Sequence, residues 1–444
     1  MDRLSNLPTL RINPDQHLTF NHNRSRCQGL AGDTIATALY ANGVRIFSRS
    51  LKYHRPRGLY SLDGECSNTC LEVDGIPNVC AEKTFLKNGM TLKTQNVKGS
   101  AENDLMSFMD TLDWAMPAGF YYRSMHKPAK IWPLALKQIR KAAGLGKISP
   151  DFEMKGEFDE IYPSADVCVI GGGPAGMSAA MAAAGRGLRV ILLESRPWLG
   201  GIFDYRTLVG SHGAPLHERA WELAQTVQEA PDIRIFVHTG VVGVYNNNLV
   251  TAFQTGSESD NFDERYIEIR AQSVVVATGC IERPLLFENN ERPGVMQINT
   301  AHRLARTYGL MPGEKAVFSV GHDLGLEAAL DLSDLGLNIS CVADIREDDQ
   351  DPKLVAALED RNILFLRGWV ATVAHGEKGV TKATLSTIAG TRRRDFDCDL
   401  LVASAGMTPV TGPLSLGHAR FAFDIHTGFF LPTTLPAKMH AAGR

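Results

Sequence analysis

One glycine-rich segment limits the possible folds of this chain more than any other feature. Residues 166–170 (DVCVI) are a short apolar run, as expected of a strand buried on both faces of a parallel sheet. The segment 171–176 (GGGPAG) follows at once, and residues 177–184 then form an apolar helical run. Strand, glycines and helix in this order predict the start of a βαβ unit that holds a dinucleotide.

The three spaced glycines of this turn each have a separate structural task. Gly171 permits the tight turn, Gly173 lets the backbone approach a pyrophosphate, and Gly176 lets helix and strand pack closely. The free N–H groups and partial positive charge of the helix N-terminus attract phosphate oxygens. The predicted pyrophosphate-binding residues are Gly171, Gly173, Pro174, Ala175 and Gly176.

An acidic residue stands at the expected distance from the glycine turn. Residues 189–193 form a second apolar strand, which ends in Glu194, 23 residues after Gly171. A carboxylate in this position accepts hydrogen bonds from ribose hydroxyls. The candidate residues on the ribose side are Glu194, Ser195 and Arg196. Gly200 and Gly201, just beyond, are either a second close backbone approach or an ordinary loop, and we include them as candidates.

A third strand supports the same site. Residues 273–277 form an apolar strand that ends in Thr278-Gly279. Placed beside the first strand, this end would give a wall of small residues along which a cofactor can lie. Thr278 and Gly279 are therefore also candidate cofactor-binding residues.

A second strand–helix–strand unit, in residues 315–344, repeats the architecture without its glycines. The turn at residues 321–326 has the sequence GHDLGL, and either register keeps one of the three critical glycines. Asp323 would also bring a carboxylate towards a pyrophosphate, which costs energy unless the charge is neutralised. We therefore favour a structural domain, or a weak or altered ligand site, for this unit.

A small α+β module precedes the dinucleotide unit. Asp33 is predicted to cap a helix that ends at Asn42-Gly43. The strands predicted around this helix are residues 18–20, 44–47, 69–73 and 91–94. This pattern predicts a β-grasp.

The cysteines of the module raise the question of an iron–sulfur cluster. A plant-type cluster needs four cysteines in a C-x4-C-x2-C…C arrangement. The module offers Cys66, Cys70 and Cys80, with no nearby fourth cysteine and no histidine at ligand spacing. We therefore predict a module without a [2Fe–2S] cluster, and we assign no metal ligand. The chain has no CxxC motif, which argues against a thioredoxin-reductase-like dithiol.

Cationic side chains are concentrated in residues 49–58 (RSLKYHRPRG). This run is either a solvated surface loop or a contact for an anion, such as a cofactor phosphate or an acidic partner.

His212 and His217 lie in a polar stretch, which predicts solvated side chains rather than a catalytic base.

Composition narrows the class of protein. A formal charge of −3 gives no reason to propose a nucleic-acid partner or an anionic membrane surface. The N-terminus has no apolar core of a secretory signal, and no apolar stretch reaches the length of a membrane span. Eight dispersed cysteines in 444 residues are typical of a reducing compartment. We predict a cytoplasmic protein.

These patterns predict an α/β chain of several domains. Together with the family resemblance that the stretches quoted below carry, they imply the fold class: an N-terminal β-grasp (ferredoxin-like) module joined to a Rossmann-type flavoprotein fold with two dinucleotide-binding domains. The predicted parts are a β-grasp at 1–98, a helical connector at 99–162, a first Rossmann domain at 163–288 and 400–444, and a second, degenerate nucleotide-binding-like domain at 289–399.

Several longer stretches carry a family resemblance. They are GDTIATALYANGV (32–44), SRSLKYHRPRG (48–58), PAGFYYRSM (117–125), IRKAAGLG (139–146), VIGGGPAG (169–176) and VVVATGCIERPLLFENNERPGVM (274–296). Together they resemble the alpha subunit of heterotetrameric sarcosine oxidase and its relatives, the opine and proline dehydrogenase and hydrogen cyanide synthase subunits. The last stretch is much more specific than a glycine turn.

The resemblance implies cofactors and a partner. In this family the alpha subunit works with a beta subunit that carries FAD and oxidises the amine, and an FMN lies between the two subunits. It implies that Gly171, Gly173, Gly176 and Glu194 bind NAD, whereas FAD takes this place in some relatives. The family's alpha subunit continues into a folate-binding domain, which is not in this sequence up to Arg444. Either the sequence is a fragment of a longer subunit or its gene has lost the rest.

Three functional hypotheses follow. The first is an alpha-type subunit of a sarcosine-oxidase-like complex that oxidises a secondary amine by hydride transfer to flavin. The second is a stand-alone NAD(P)H-dependent flavoprotein reductase, against which the degraded turn at residues 320–326 argues. The third is a non-catalytic nucleotide-binding subunit. We assign no catalytic residue, because we expect the amine site on the partner.

Overall fold

The computed structural model of the chain divides into two compact units. The first unit comprises Met1–Phe152 and Glu282–Gly406, and the second comprises Glu153–Ile281 and Met407–Arg444. The structure describes residues 3–64, 66–115, 119, 130–142, 146, 153, 156–209, 213–256 and 260–443. Two stretches that carry part of the family resemblance lie partly outside the described residues: 117–125 except Gly119, and residues 143–145 of 139–146. His212 also lies outside them.

Helices of the described residues alternate with strands along much of the chain. The α-helices are α1 (Ile35–Ala41), α2 (Trp132–Ala142), α3 (Pro174–Ala184), α4 (Leu216–Glu229), α5 (Ile298–Tyr308), α6 (Asp323–Asp334), α7 (Pro352–Asp360) and α8 (Gly412–Leu416). The 3₁₀ helices are Ser67–Thr69, Leu105–Ala115, Gly201–Tyr205 and Asn246–Asn248. No helix in the described ranges is long and apolar enough to cross a membrane.

Strands fall into three stretches of the chain. The N-terminal strands are β1 (Asn13–His22), β2 (Ser25–Ala31), β3 (Ser48–Arg49), β4 (Pro56–Arg57), β5 (Cys70–Val73), β6 (Ile76–Cys80) and β7 (Thr91–Lys93). The central strands are β8 (Phe158–Ile161), β9 (Ser164–Ile170), β10 (Val190–Leu193), β11 (Ile233–Phe236), β12 (Thr239–Tyr245), β13 (Leu249–Thr255) and β14 (Glu264–Val276). The remaining strands are β15 (Cys280–Glu282), β16 (Val295–Met296), β17 (Lys315–Val320), β18 (Asn338–Asp344), β19 (Leu364–Arg367), β20 (Trp369–His375), β21 (Lys382–Thr387), β22 (Arg393–Asp397), β23 (Leu400–Ala403), β24 (Met407–Pro409), β25 (Arg420–Asp424), β26 (Phe429–Thr434) and β27 (Met439–Ala441).

The N-terminal module of the first unit is a five-stranded sheet in the order β2-β1-β7-β5-β6. β1 pairs with β7 in parallel, whereas its pairing with β2 is antiparallel. Helix α1 is almost entirely buried, because its alanines and leucine pack in a core that also contains Phe20 and Leu71. A mixed sheet with one buried helix is the arrangement expected of a β-grasp.

Two details of this module differ from the sequence analysis. Thr34 rather than Asp33 caps α1, and its hydroxyl accepts a hydrogen bond from the Thr37 amide. The Asp33 carboxylate is instead engaged by Arg3, at 2.6 Å, and by the Leu30 amide. The strand predicted at 44–47 is also absent, since the described backbone there is irregular and β3 begins only at Ser48.

The second sheet of the first unit is parallel, in the order β16-β23-β17-β18-β19. Its central strands are fully buried apolar runs, as a parallel sheet covered on both faces requires. Helices α5 and α6 contribute to the same core as the N-terminal module, which includes Leu304, Leu326 and Phe318. Strands β20, β21 and β22 form a separate antiparallel sheet.

The second unit contains an eight-stranded sheet. Its main path runs β11-β10-β9-β14-β13-β12, and β8 and β27 also pair with β14. The strands β9, β10 and β11 are parallel, and α3 and α4 connect them in the right order for crossover units. This sheet places the ends of β9, β10 and β14 side by side, which decides where a ligand of the glycine turn can lie.

The predicted domain boundary at residue 400 does not agree with the sheet in which the strand there lies. Strand β23, which the sequence analysis placed with the first Rossmann domain from residue 400, pairs with β16 and β17 in the first unit. The second unit resumes only at Met407. An apolar strand buried on both faces fits either parallel sheet, so its sequence does not reveal the sheet to which it belongs.

Candidate functional site

The glycine turn joins β9 to α3 and has the geometry that its sequence predicts. Gly171 has a φ of +109°, which side chains rarely adopt. A Cβ added to Gly176 would lie 1.8 Å from the carbonyl oxygen of Gly171. The strand and helix can therefore meet at this distance only because neither position carries a side chain.

Helix α3 begins at this turn with backbone amides directed away from the helix. Gly173 is its N-cap and has ordinary extended backbone, with φ −76° and ψ 177°. No side chain of the described residues caps the helix, and Pro174 occupies the first turn. A Cβ added to Gly173 would meet only the Cα of Gly201, at 3.7 Å. The helix N-terminus thus offers donors and open space to an anion.

Glu194 follows β10 and lies against the glycine turn. The parallel register pairs Leu193 with Ile170, so that the two strands end together. The Glu194 carboxylate is buried and accepts hydrogen bonds from the Gly172 amide at 2.8 Å and the Arg196 amide at 2.9 Å. These bonds fix the carboxylate at the strand end, with further lone pairs available to other donors.

The residues after Glu194 also belong to this location. The Gly200 amide donates to the carbonyl of Gly172 at 2.9 Å. Gly201 has a φ of +58°, and a Cβ on it would lie 2.8 Å from the Cα of Gly173. These two glycines let the segment pack closely against the glycine turn, and their contact with a cofactor stays a prediction.

Thr278 and Gly279 lie at the end of β14, beside the same turn. The Ala277 amide donates to Ile170, and a Cβ on Gly171 would lie 2.3 Å from the Ala277 carbonyl oxygen. The Thr278 hydroxyl donates to the Val410 carbonyl at 2.6 Å. All twelve candidate residues therefore gather at the carboxyl ends of three neighbouring strands.

Two further parts of this location were missed by the sequence analysis. Asp204 is fully buried beside Gly200 and accepts a hydrogen bond from the Trp221 indole at 2.9 Å. The end of β27 brings Gly443 against α3, where an added Cβ would lie 2.9 Å from that of Ala175. Neither residue stands in a recognisable motif, because both are placed by long-range strand pairing and packing.

The turn of the second βαβ unit, between β17 and α6, is occupied by ion pairs of the chain itself. Arg346 donates to Asp323 and to the fully buried Asp344, each at 2.7 Å. The negative charge that Asp323 brings to the turn is therefore neutralised by Arg346 of the same chain. Burial and the nearby Arg346 lower the pKa of His322 to about 4, so this histidine is neutral at physiological pH.

Two buried carboxyl groups of the first unit have strongly altered acidity. Burial raises the pKa of Glu282 to about 7, although the amides of Ile298 and Asn299 donate to it at the start of α5. Burial likewise raises the pKa of Glu82 to about 7. Neither residue was predicted to have a functional role.

Glu82 lies at the centre of a polar cluster in the N-terminal module. Its carboxylate accepts hydrogen bonds from Ser61 and Thr69, both at 3.1 Å, and from the Gly64 amide at 2.8 Å. Burial raises the pKa of the neighbouring Cys66 thiol to about 11. Cys66 is therefore protonated near neutral pH.

The basic run at residues 49–58 is not a solvated surface loop, and its contact with a cofactor or an acidic partner stays a prediction. Arg49 is buried and donates to the Ala101 carbonyl at 2.7 Å, and buried His54 lies 2.6 Å from Asp104. Arg55 pairs with Asp110 at 2.6 Å. These cations bind carbonyls and carboxylates of the first unit.

The prediction of solvated histidines was also wrong for His217, which is buried.

The fold and the glycine-turn geometry define a class, the dinucleotide-binding oxidoreductases. Residues 165–428 match the family described as pyridine nucleotide-disulphide oxidoreductase, and this match spans more than half of the chain. The chain belongs to this family. The predicted fold class, a ferredoxin-like module joined to a Rossmann-type flavoprotein fold, is confirmed.

Within that class, the chain is similar to alpha subunits of sarcosine oxidase, as the resemblance predicted. It is 32% identical over 407 residues to sarcosine oxidase subunit alpha of Rhizobium meliloti (strain 1021), which covers 88% of this chain and 40% of that protein. It is 26% identical over 446 residues to the same subunit of Corynebacterium sp. (strain U-96), covering 98% and 42%. The chain therefore spans about two fifths of the length of these curated relatives.

Among solved structures, the crystal structure of L-proline dehydrogenase from P. horikoshii has a similar fold. The TM-score is 0.65 at 20% identity, and the match covers 98% of this chain and 70% of that one. At this identity the similarity establishes the fold of the whole described chain.

The prediction against an iron–sulfur cluster was wrong. Residues 15–97 match the family described as 2Fe-2S iron-sulfur cluster binding domain. The module contains four cysteines, but they do not gather in one place. Cys70 and Cys80 face each other across β5 and β6, with Cys66 near Cys70, whereas Cys27 lies in β2 at the opposite edge of the sheet. Within the described residues, no group of three or more histidine, cysteine or acidic side chains is arranged to hold a metal ion. No cluster ligands are therefore assigned.

Proposed function

We propose that this chain is the dinucleotide-binding, alpha-type subunit of a sarcosine-oxidase-like flavoenzyme complex. The complex would oxidise a secondary amine, such as sarcosine or a similar N-methyl amino acid, by hydride transfer to flavin. The observation that carries the proposal is the glycine turn, where an uncapped helix N-terminus faces open space beside a fixed carboxylate. Similarity to alpha subunits of sarcosine oxidase supports the reaction class.

The pyrophosphate of NAD or FAD would lie at the start of α3. Gly173 leaves its approach open, and the first amides of the helix would donate to phosphate oxygens. Pro174 costs no hydrogen bond at this position, because it lacks only an N–H that the helix would not use. Ala175 and Gly176 keep this turn close to β9.

The adenosine ribose would lie beside Glu194. Its carboxylate is held by two backbone amides and would accept hydrogen bonds from ribose hydroxyls. Ser195 and Arg196 follow Glu194 on the side of the ribose. Gly200 and Gly201 would lie beside the pyrophosphate, where the absence of side chains leaves room for it. Thr278 and Gly279 would form the wall on the opposite side.

Amine oxidation itself is proposed to take place on a beta-type partner. The reaction removes a hydride from the carbon bonded to nitrogen and a proton from the nitrogen, and flavin supplies the two-electron acceptor. The role of this chain would be to bind and orient the dinucleotide. The second turn disfavours a stand-alone NAD(P)H reductase, because it keeps only one of the three critical glycines and carries Asp323, whose carboxylate is paired with Arg346.

The test is amine-dependent reduction of the assembled complex. The chain is co-expressed with its candidate beta-type subunit, and bleaching of the flavin absorbance is followed without oxygen after addition of sarcosine. Glycine, which lacks the N-methyl group, is the control substrate. We expect bleaching with sarcosine and none with glycine. No bleaching by sarcosine or by other N-methyl amino acids would refute the proposed reaction.

A further inference from the structure

One face of the adjacent strands β12, β13, β14 and β8 in the second unit carries an unusual set of side chains. Cross-strand register places Phe253 of β13 opposite Tyr266 of β14, and Tyr266 opposite Glu160 of β8. Glu268 lies on the same face, opposite the buried Thr251. Residues opposite one another in a sheet share a face, so these side chains form one continuous surface across the strands.

Aromatic rings dominate this surface. We call it the aromatic face and define it by Phe158, Tyr162, Tyr245, Phe253 and Tyr266. Phe253 is 51% exposed, Tyr245 51% and Tyr162 66%. The rings of Phe253 and Tyr266 lie 5.4 Å apart, and the Tyr245 ring covers Gly243 so closely that a Cβ there would lie 2.4 Å from it. The rings are thus ordered by their neighbours.

These rings do not belong to the hydrophobic core of the second unit. The other face of the same strands carries the apolar side chains of the core, including Val244, Val250, Ile267 and Ile269. The solvent face of an antiparallel sheet is normally polar. Exposed apolar surface of this kind typically marks an interaction site.

The charges around the aromatic face are predominantly negative. Glu160, Glu264 and Glu268 lie on the same side of β8 and β14, against one cation, Arg270. Arg270 already pairs with Glu268 at 3.1 Å, and the Tyr162 hydroxyl donates to Glu160 at 2.6 Å. The surface therefore keeps a net negative charge, which favours a cationic partner.

Arginine fits this combination best. A guanidinium group binds carboxylates through paired hydrogen bonds and also stacks on aromatic rings. Tyrosine, phenylalanine and arginine are enriched at the centres of protein interfaces, where a few of them supply most of the binding energy. Four strands spaced about 4.8 Å apart give a patch roughly 14 Å wide, which suits the centre of an interface.

We infer that the aromatic face docks the partner subunit of the complex through an arginine-bearing surface of that subunit. This inference rests on the proposed function, which supplies the subunit. It goes further by naming the surface of this chain that makes the contact and the chemistry of the surface that meets it.

The test compares binding of the beta-type subunit to variants of the full chain. Phe253→Ser and the double variant Glu160→Lys/Glu268→Lys are each expected to raise the dissociation constant about tenfold or more, and the effect of salt on binding should shrink in the double variant. Glu359→Lys, on an exposed helix of the first unit, is the matched control and should bind like the unmodified chain. Far-UV circular dichroism checks that each variant is folded.

The outcomes separate the two proposals. Unchanged binding by both aromatic-face variants would overturn the docking surface and leave the complex intact. Loss of self-association by the chain alone, with unchanged binding of the beta-type subunit, would assign the face to a second copy and also overturn the inference. Failure of the unmodified chain to bind the subunit at all would refute both the inference and the proposed function.

Discussion

Replacing Gly173 by alanine separates ligand binding from folding. The φ of −76° suits alanine, and the new methyl group would meet only the Cα of Gly201, at 3.7 Å. Alanine is a poorer N-cap than glycine, but it also restricts the unfolded chain, by about 0.4–1 kcal/mol. These effects oppose each other, so the free energy of unfolding should change by less than about 1 kcal/mol.

The effect on dinucleotide binding should be much larger. The methyl group would project into the space through which the backbone approaches the pyrophosphate. Loss of one hydrogen bond to a charged phosphate costs about 1.5–3 kcal/mol, which corresponds to roughly 10- to 150-fold weaker binding.

The assay is isothermal titration of NAD and FAD into the purified chain after removal of bound nucleotide, together with urea denaturation. Gly240→Ala is the matched control, because a Cβ there meets nothing within 4 Å and Gly240, in β12, is not one of the candidate cofactor-binding residues. The reasoning is refuted if Gly173→Ala binds both dinucleotides as tightly as the Gly240→Ala control.

Four other variants give separate tests. Gly176→Ala should abolish soluble expression or lower the melting temperature sharply, because its Cβ would lie 1.8 Å from a backbone oxygen of the turn. Glu194→Gln should weaken dinucleotide binding about tenfold in the same titration, since a neutral amide is a poorer acceptor for ribose hydroxyls. Arg346→Ala should lower the free energy of unfolding in urea by roughly 1.5–3 kcal/mol, because buried Asp344 loses its guanidinium; an unchanged value would contradict the ion-pair account. The pKa of Glu82 is raised from 4.5 to about 7, so the folded chain holds a proton that the unfolded chain releases, and stability should fall as pH rises from about 5 to 8. Glu82→Gln should make that decline in urea midpoints shallower, and an equally steep decline would contradict the assignment.

The glycine turn could be predicted from sequence because its chemistry is local. The tight turn, the backbone approach and the close helix packing each call for glycine within six consecutive residues. The structure shows the first and the last of these at Gly171 and Gly176, whereas the approach of a pyrophosphate to Gly173 stays a prediction. Glu194 was also found from spacing, since a parallel strand and one crossover helix fix its distance along the chain. Whether these residues bind a dinucleotide remains a prediction.

Features that depend on distant parts of the chain were not predicted. Asp204, Glu82 and Glu282 are buried polar residues without a motif, and their environments come from tertiary packing. The basic run was misjudged as a solvated loop because carboxylates and carbonyls far along the chain bind it, as in the Arg49 bond to Ala101 and the Arg57 ion pair with Glu291. The prediction of the domain boundary near residue 400 was wrong because the sequence of β23 fits either parallel sheet.

The iron–sulfur prediction failed for a different reason. Counting cysteine spacings tests only the ligands, whereas the match over residues 15–97 rests on the whole module. The β-grasp sheet and buried helix α1 were visible in the sequence, and they relate the module to cluster-binding domains.

The most direct test of the central claim, that the turn between β9 and α3 holds a dinucleotide, is identification of the nucleotide released from the purified chain by denaturation. Chromatography and mass spectrometry of the supernatant should yield NAD or FAD at about one molecule per chain. A chain that releases no adenine dinucleotide, and that binds neither NAD nor FAD when they are added back at millimolar concentration, would contradict the account.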